Sequence, residues 1–394
     1  MVAVTQLSTT RRWVMLALGV FAQAASAVMS NGAPFLLPAL TERGMPLATA
    51  GLLVAMPMVG MVCTLIAWGY AVDRFGERTV LIVGPLLMFG AGVAAAATTN
   101  YLVLGGLLLL AGIGAASTNG ASGRVIAGWF PPDQRGLAMG IRQTAQPIGV
   151  GIAALAIPAI AAAQGFSTAI LVPALMAAAA VIGCAIGIID PPRPERTATQ
   201  VNSDNPYRSD TTLWRIHAVS VLLVIPQATV WTFALLWLNH AVGLALAAAG
   251  VLVTVTQILG AAGRIGAGIW SDRLGSRLRP LRTIAIAAVI SMAALGFSAW
   301  LHWWWAALPI LVIASVITVA DNGLSFTAVA EIAGPFWSGR GLGIQNTGQY
   351  LATATVAPVF GALITAWGFP AAYLAAATCA IAAVPLVPRD RRRP

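Results

Sequence analysis

Unbroken apolar runs of about 20 residues or more recur from one end of this chain to the other, and nothing else in it constrains the fold as strongly. Crossing a bilayer core of about 30 Å takes roughly 20 apolar residues in helical form. Inside that layer only helices or closed barrels satisfy every backbone hydrogen-bonding group. Barrel strands are alternating segments of about ten residues, whereas the runs here are long and do not alternate. Only 9% of the residues are charged, against roughly 25% in an average soluble chain. The reading is an all-α, polytopic membrane protein.

The net charge of +10 raises the question of nucleic acid, and the placement of the charges answers it. All 22 basic residues are arginine. Eighteen of them, from Arg11 and Arg12 through to the carboxyl end, lie at the termini and in one alternating set of loops; the opposite set holds only Arg43. This is the positive-inside bias, and it places both termini in the cytoplasm of a cell (plasma) membrane protein. The first apolar run is full length and no small-residue cleavage site follows a short hydrophobic core, so it reads as a first helix and not a removed signal. Cys63, Cys184 and Cys379 sit in apolar runs and imply no disulfide framework. No phosphate-binding Gly-x-x-x-x-Gly-Lys loop occurs, so ATP is not the expected energy source. His217, His240 and His302 lie near membrane edges, and no catalytic, metal or cofactor site is expected.

Helices are predicted at 13–38, 49–72, 79–98, 101–130, 136–163, 166–189, 213–240, 247–270, 281–301, 303–333, 340–366 and 369–388. The long polar stretch at 191–212 is rich in Pro, Asp, Asn and Ser, and reads as a cytoplasmic linker between six-helix bundles at 1–190 and 213–394. The halves repeat. GYAVDRFGER (69–78) matches GIWSDRLGSR (268–277) at an offset of 199. NGASGRVIAGWFPPDQRGLAMGIRQTAQ (119–146) matches NGLSFTAVAEIAGPFWSGRGLGIQNTGQ (322–349) without gaps at an offset of 203, with ten of 28 positions identical. With an even number of crossings per half, the repeats run parallel, about a pseudo-twofold axis along the membrane normal.

The loop residues Gly69, Asp73, Arg74, Gly76 and Arg78 resemble the signature between helices 2 and 3 of the major facilitator superfamily, and Gly268, Asp272, Arg273, Gly275 and Arg277 form its second copy. Glu77 departs from the pattern, which usually has a basic residue there. The resemblance implies the major facilitator fold and a secondary transporter working by alternating access. It also implies that the loop latches the cytoplasmic side, with Asp73 capping helix 11 and Arg78 in the same charge network. Arg-rich loops also serve simply to set topology. Arg124 and Glu331, near the cytoplasmic ends of helices 4 and 10, are expected in the same gate.

Ionisable groups deep in a membrane are costly and face a cavity or a partner. Arg264 lies eight residues before Asp272, about 12 Å above the loop. Arg142 lies about 10 Å into helix 5, and Asp321 falls near the middle of helix 10. Arg264 at this spacing resembles the substrate arginine of nitrate/nitrite, oxalate/formate and monocarboxylate carriers; helix 2 has no counterpart of the second arginine of nitrate porters. A guanidinium suits such anions because its fork donates two parallel hydrogen bonds. Arg142 is the expected second arm of the clamp. A carboxyl out of water favours its protonated form and beside a guanidinium its ionised form, which makes Asp321 the candidate for proton coupling. The alternative is a fixed ion pair, or a bond to a backbone carbonyl. Asn31, Gln146, Gln227, Asn322, Asn346 and Gln349 complete the expected pocket.

The reading is a proton-coupled carrier (symporter) of a small anionic solute. Its expected partners are that solute, a proton and membrane lipid, with no nucleic acid and no ATP, and the carrier is expected to be a monomer. A proton/drug antiporter or a carrier of a neutral solute is the alternative. QPIGVG (146–151) keeps part of the antiporters' helix-5 pattern, but Gln146 and Arg142 suit an apolar drug poorly. No paired catalytic residues at depth point to an enzyme.

Overall fold

The computed structural model describes residues 7–42, 44–192 and 205–389. Most of the predicted linker, with Arg193 and Arg196, lies outside the described residues, as do Arg43 and positions 391–393. Eleven helical segments among them are long and apolar enough to cross a membrane: α1 (Thr9–Leu36), α2 (Thr49–Phe75), α3 (Glu77–Ala97), α4 (Tyr101–Trp129), α5 (Arg135–Gln164), α6 (Phe166–Gly187), α7 (Thr212–His240), α8 (Ala248–Leu274), α9 (Leu278–Trp300), α10 (Trp304–Ala333) and α11 (Ser338–Leu386). α11 has the length of two crossings and breaks at Gly368, where φ is 79° and ψ 172°. That conformation is open to glycine and strained for other L-residues, and it falls between the eleventh and twelfth predicted crossings. No strand occurs among the described residues.

Helix ends shift by a few residues from the sequence reading, and two of the differences have a clear local cause. α1 starts at Thr9, ahead of the predicted 13, because the Ser8 hydroxyl caps it by accepting a hydrogen bond from the Arg11 backbone N–H at 3.3 Å. α5 is interrupted between Arg142 and Ala145. Pro147 stands four residues after Gln143 and has no N–H to give to the Gln143 carbonyl, so the helical ladder loses that rung.

The chain folds as two compact units. The first comprises 1–131, 144–201 and 333–347, and the second 132–143, 202–332 and 348–394. Each unit therefore includes a helix start from the opposite sequence half. The first unit's core is built on Leu53, Leu104, Leu108, Ile157, Phe166 and Ile170. Its helices touch backbone to backbone where Gly112 meets Pro57 and Gly60 meets Leu109, positions with no room for a Cβ. The second unit's core includes Trp237, Met292, Leu295, Leu311, Val356 and Tyr373. Large apolar side chains such as Leu102, Leu155, Ile186, Val251, Ile290 and Trp305 are exposed on the outer faces. An apolar exterior of this extent belongs in lipid.

The repeat is reproduced in backbone geometry. A Cβ built on Gly140 would lie 2.7 Å from the Arg264 carbonyl oxygen, and one built on Gly343 would lie 2.7 Å from that of Leu65. Gly140 and Gly343 are repeat mates, as are Arg264 and Leu65.

Candidate functional site

Arg142 and Arg264 both lie in the second unit, 2% and 4% exposed, and both reach Gln143. Arg264 donates from Nη1 to the Gln143 backbone oxygen at 3.2 Å, the carbonyl that Pro147 leaves without a helical donor. Arg142 donates from Nη1 to the Gln143 side-chain Oε1 at 3.0 Å. Each guanidinium also stands over an aromatic ring: Arg264 over Trp231 at 5.5 Å and Arg142 over Phe326 at 5.7 Å. Both are within the ~6 Å reach of a cation–π contact. A ring under the flat of a guanidinium does not compete for the donors in its plane. The Arg264 Nε is buried and without a partner.

Asp321, 2% exposed, lies on α10 in the same unit, and Arg264 and Asp321 interact electrostatically. No ion pair joins them among the described residues, and the Asp321 Oδ2 is buried without a hydrogen bond. One turn on, the buried Ser325 hydroxyl is also unpartnered. The repeat mates of these two residues are fully engaged. Thr118 donates its hydroxyl toward Gln23 Oε1 (3.1 Å) and Ser26 Oγ (3.0 Å), and Ser122 donates to the Thr118 carbonyl at 2.6 Å. Buried polar atoms in folded proteins are almost always paired, so the two copies differ in kind at this depth.

The neutral polar residues divide between the units. In the second, Asn322 donates to Gln227 at 2.8 Å and accepts from Gln349 at 2.9 Å. In the first, Gln23 donates to Asn119 at 2.9 Å. Asn31 and Asn346 bond back to carbonyls of their own helices, Ala27 and Leu342, and Gln146 is half-buried there. Ser325, Trp231 and Phe326 were not anticipated. Ser325 carried a signal, being an identical position of the repeat; the two aromatics carried none, since rings are ordinary in membrane helices.

At the loop ends, each unit has an acid capping a helix start. In the first, Asp73 accepts from the backbone N–H groups of Gly339 (2.9 Å) and Arg340 (3.0 Å), and from Arg340 Nε (3.0 Å) and Arg124 Nη1 (3.1 Å). Arg124 also bonds the Pro335 carbonyl and pairs through Nε with the fully buried Glu77 at 2.6 Å. In the second, Asp272 accepts from the N–H groups of Gly136 (2.9 Å) and Leu137 (2.8 Å) and from Arg277. Arg277 reaches Glu331 at 3.2 Å, and Arg135 does so at 3.5 Å. A carboxylate there satisfies orphan N–H donors at the positive end of a helix dipole. Burial works against the Arg277 charge, but Glu331 and Asp272 outweigh it and hold its pKa above the usual arginine value. Arg78 lies apart from Asp73: its N–H bonds Asp190 at 2.7 Å and its guanidinium the Ala185 carbonyl at 2.6 Å. The carboxylate of Asp190 also packs on Gly76, whose φ is +95°. Arg74 bonds the Tyr70 hydroxyl at 3.3 Å, and Arg273 is exposed.

The sequence profile of the Major Facilitator Superfamily matches residues 16–357. The chain belongs to that superfamily. It is an integral membrane transporter and not an enzyme. Among its superfamily relatives, an uncharacterized MFS-type transporter of Mycobacterium tuberculosis (strain H37Rv) is 47% identical over 388 residues, covering 96% of this chain and 85% of the relative. A probable sulfoacetate transporter of Cupriavidus necator is 25% identical over 351 residues, covering 83% and 81%. Among solved structures, the proton:xylose symporter XylE superposes with a TM-score of 0.77 at 16% identity, covering 96% of this chain and 95% of that one. At that identity the likeness is one of fold.

Proposed function

We propose that this chain is a secondary active carrier of small organic anions, with Arg264 and Arg142 receiving the anion and Asp321 carrying a coupled proton. The observation that supports this most is a pair of orphaned atoms in one unit: Arg264 Nε and Asp321 Oδ2 are both buried and neither has a hydrogen-bond partner. An anion in the arginine fork would satisfy the first, and a proton on the carboxyl would answer the second. With Asp321 ionised the three groups sum to one positive charge, and protonation raises this to two, so proton and anion favour each other's binding. The probable sulfoacetate transporter, with its doubly acidic solute, fits this reading better than the xylose symporter does. Gln227, Asn322 and Gln349 form a hydrogen-bonded row that would grade the solute's polar end. In alternating access, Asp73 and Asp272 would release and recapture the helix starts they cap. We propose further that the protein lies in the plasma membrane as a monomer, with both termini on the cytoplasmic side that its arginine distribution suggests.

The test is counterflow in proteoliposomes with sulfoacetate, small mono- and dicarboxylates, and xylose. Wild type is expected to exchange anions and accumulate them under an inward proton gradient. Arg264→Lys keeps the charge but loses the fork, and should lose transport at least tenfold. Asp321→Asn should exchange anions yet no longer accumulate them. Xylose exchange that is indifferent to Arg264→Lys would replace this reading with a neutral-solute carrier.

A further inference from the structure

A second basic site lies at the loop ends of the second unit's helices, separate from Arg142 and Arg264. A cavity of about 580 Å³ is lined by Asp210, Thr212, Arg215, Arg282 and Arg389, together with the end of α11 around Pro385. That volume is within the ~300–1,000 Å³ range of small-molecule pockets. Its three guanidiniums come from distant points of the chain: the first turn of α7, the start of α9 and the stretch after α11. Arg215 is fixed, donating from Nε to the Leu386 carbonyl (3.0 Å) and from Nη2 to that of Pro385 (3.2 Å). The Asp210 carboxylate is held by Thr212, through its N–H at 3.3 Å and its hydroxyl at 2.6 Å. Arg282 and Arg389 are exposed and make no hydrogen bond or ion pair among the described residues. Three cations and one anion leave a net charge of +2 around the cavity. Trp214, next to Arg215, is 52% exposed with its ring edge-on to Tyr207 at 5.1 Å. Exposed tryptophan beside arginine at a helix end marks the headgroup layer of a membrane.

We propose that this cavity binds the headgroup of an anionic phospholipid, its phosphodiester on Arg282, Arg389 and the free Nη1 edge of Arg215. Guanidiniums pair with phosphate oxygens in a charge-assisted fork, and basic pockets beside membrane helices suit phosphate-bearing headgroups. The carboxylate of Asp210 disfavours a bare phosphate. It favours a headgroup with hydroxyls to donate, such as the glycerol of phosphatidylglycerol.

The probe is dioleoylphosphatidylglycerol, titrated into the purified full chain in a neutral maltoside detergent. Native mass spectrometry reads retained lipid and thermal unfolding reads stabilisation. Wild type should retain the lipid and gain several degrees in Tm; dioleoylphosphatidylcholine and inorganic phosphate should do neither. Each arginine near a headgroup contributes about fivefold in affinity, so Arg282→Gln with Arg389→Gln should weaken binding about 25-fold. The lipid-free Tm should stay the same, since both side chains are exposed. Arg11→Gln with Arg208→Gln removes the same charge outside the cavity and should leave binding intact. The proposal falls if the cavity variant binds like wild type, if the control weakens equally, if phosphatidylcholine matches phosphatidylglycerol, or if inorganic phosphate alone reproduces the shift.

Discussion

The two units carry the same backbone contact with opposite chemistry. Gly140 sits on the Arg264 carbonyl as Gly343 sits on that of Leu65, each with an oxygen 2.7 Å from where a Cβ would be. The side chains that share this geometry then diverge. In the first unit the repeat positions are Leu65, Gln345 and Thr118, all neutral, with Thr118 hydrogen-bonded. In the second they are their mates Arg264, Arg142 and Asp321, all ionisable, with Arg264 and Asp321 each leaving a buried atom unpaired. Packing alone is solved by the neutral set, so the charged set is the addition that needs a function to explain it. The units also differ in how their loop clusters are wired. In the first the acid Glu77, at the start of α3, pairs with the base Arg124 of α4; in the second the loop base Arg277 pairs with the acid Glu331 of α10. Both clusters balance two acids with two arginines, so neutrality is kept while polarity is reversed.

The largest effect should come from moving the charge between mates. Leu65→Arg buries a guanidinium, at a site 2% exposed, where the repeat mate positions supply no carboxylate. It should cost about 4 kcal/mol or more and leave little folded protein. Arg264→Leu is the reverse exchange. It removes a buried charge with an unpaired Nε, against the loss of one hydrogen bond to Gln143 and the ring contact with Trp231, so its stability should stay within about 2 kcal/mol of wild type while transport is abolished. Thermal unfolding in detergent beside counterflow checks both. A folded Leu65→Arg protein, or an Arg264→Leu protein that melts early, would mean that Arg264 is part of the scaffold.

The next effect compares the wired clusters. Glu77 is fully buried and its pair with Arg124 is 2.6 Å long, whereas the Glu331 side chain is 25% exposed. Removing one partner of a buried pair strands the other charge. Arg124 keeps Asp73 at 3.1 Å, so Glu77→Gln should cost about 3 kcal/mol, the low end of the ~3–5 kcal/mol typical of a broken buried pair. Glu331→Gln should cost less, about 1 kcal/mol, because water reaches the Glu331 end of the pair and Arg277 keeps Asp272. Unfolding midpoints that drop equally in the two variants would show that polarity, and not burial, sets the strength of these clusters.

Much of this was legible in the sequence, for physical reasons that also mark where legibility stops. Hydropathy is local and the bilayer demands it, so the crossings could be read from composition along the chain. Arg142, Arg264 and Asp321 stood out because a charge in an apolar run is rare. The break after Arg142 was encoded by Pro147 and could have been anticipated from proline's missing N–H. Ser325 was visible as a repeat position, yet a serine in a membrane helix is usually bonded back to its own helix, as Ser122 is. Only three-dimensional packing distinguishes the two. Trp231 and Phe326 had no sequence signal, because their roles depend on which guanidinium stands over them. The association of 333–347 with the first unit was implied by the resemblance, through Asp73 capping helix 11, whereas that of 132–143 with the second had no direct counterpart in the sequence reading. Arg78 shows the same limit within one motif. Its mate Arg277 joins an acid cluster, but α3 begins at Glu77 and α9 only at Leu278, so Arg78 is already on a helix and bonds Asp190.

The smallest effect concerns the shared contact. Alanine at Gly140 or at Gly343 puts a methyl 2.7 Å from a backbone oxygen, so one helix must shift by a fraction of an ångström. Overpacking of this kind costs about 1–3 kcal/mol, and because the two environments match, the losses in Tm should match as well. Transport should separate the variants. Displacing the Leu65 backbone moves an apolar side chain within an apolar core, but displacing the Arg264 backbone moves a guanidinium that must meet an anion and still reach Gln143. Gly140→Ala is therefore expected to raise the half-saturating concentration of the transported anion, with Gly343→Ala near wild type. Equal transport loss in both variants would tie transport to the contact itself and remove the functional asymmetry argued for the charged copy.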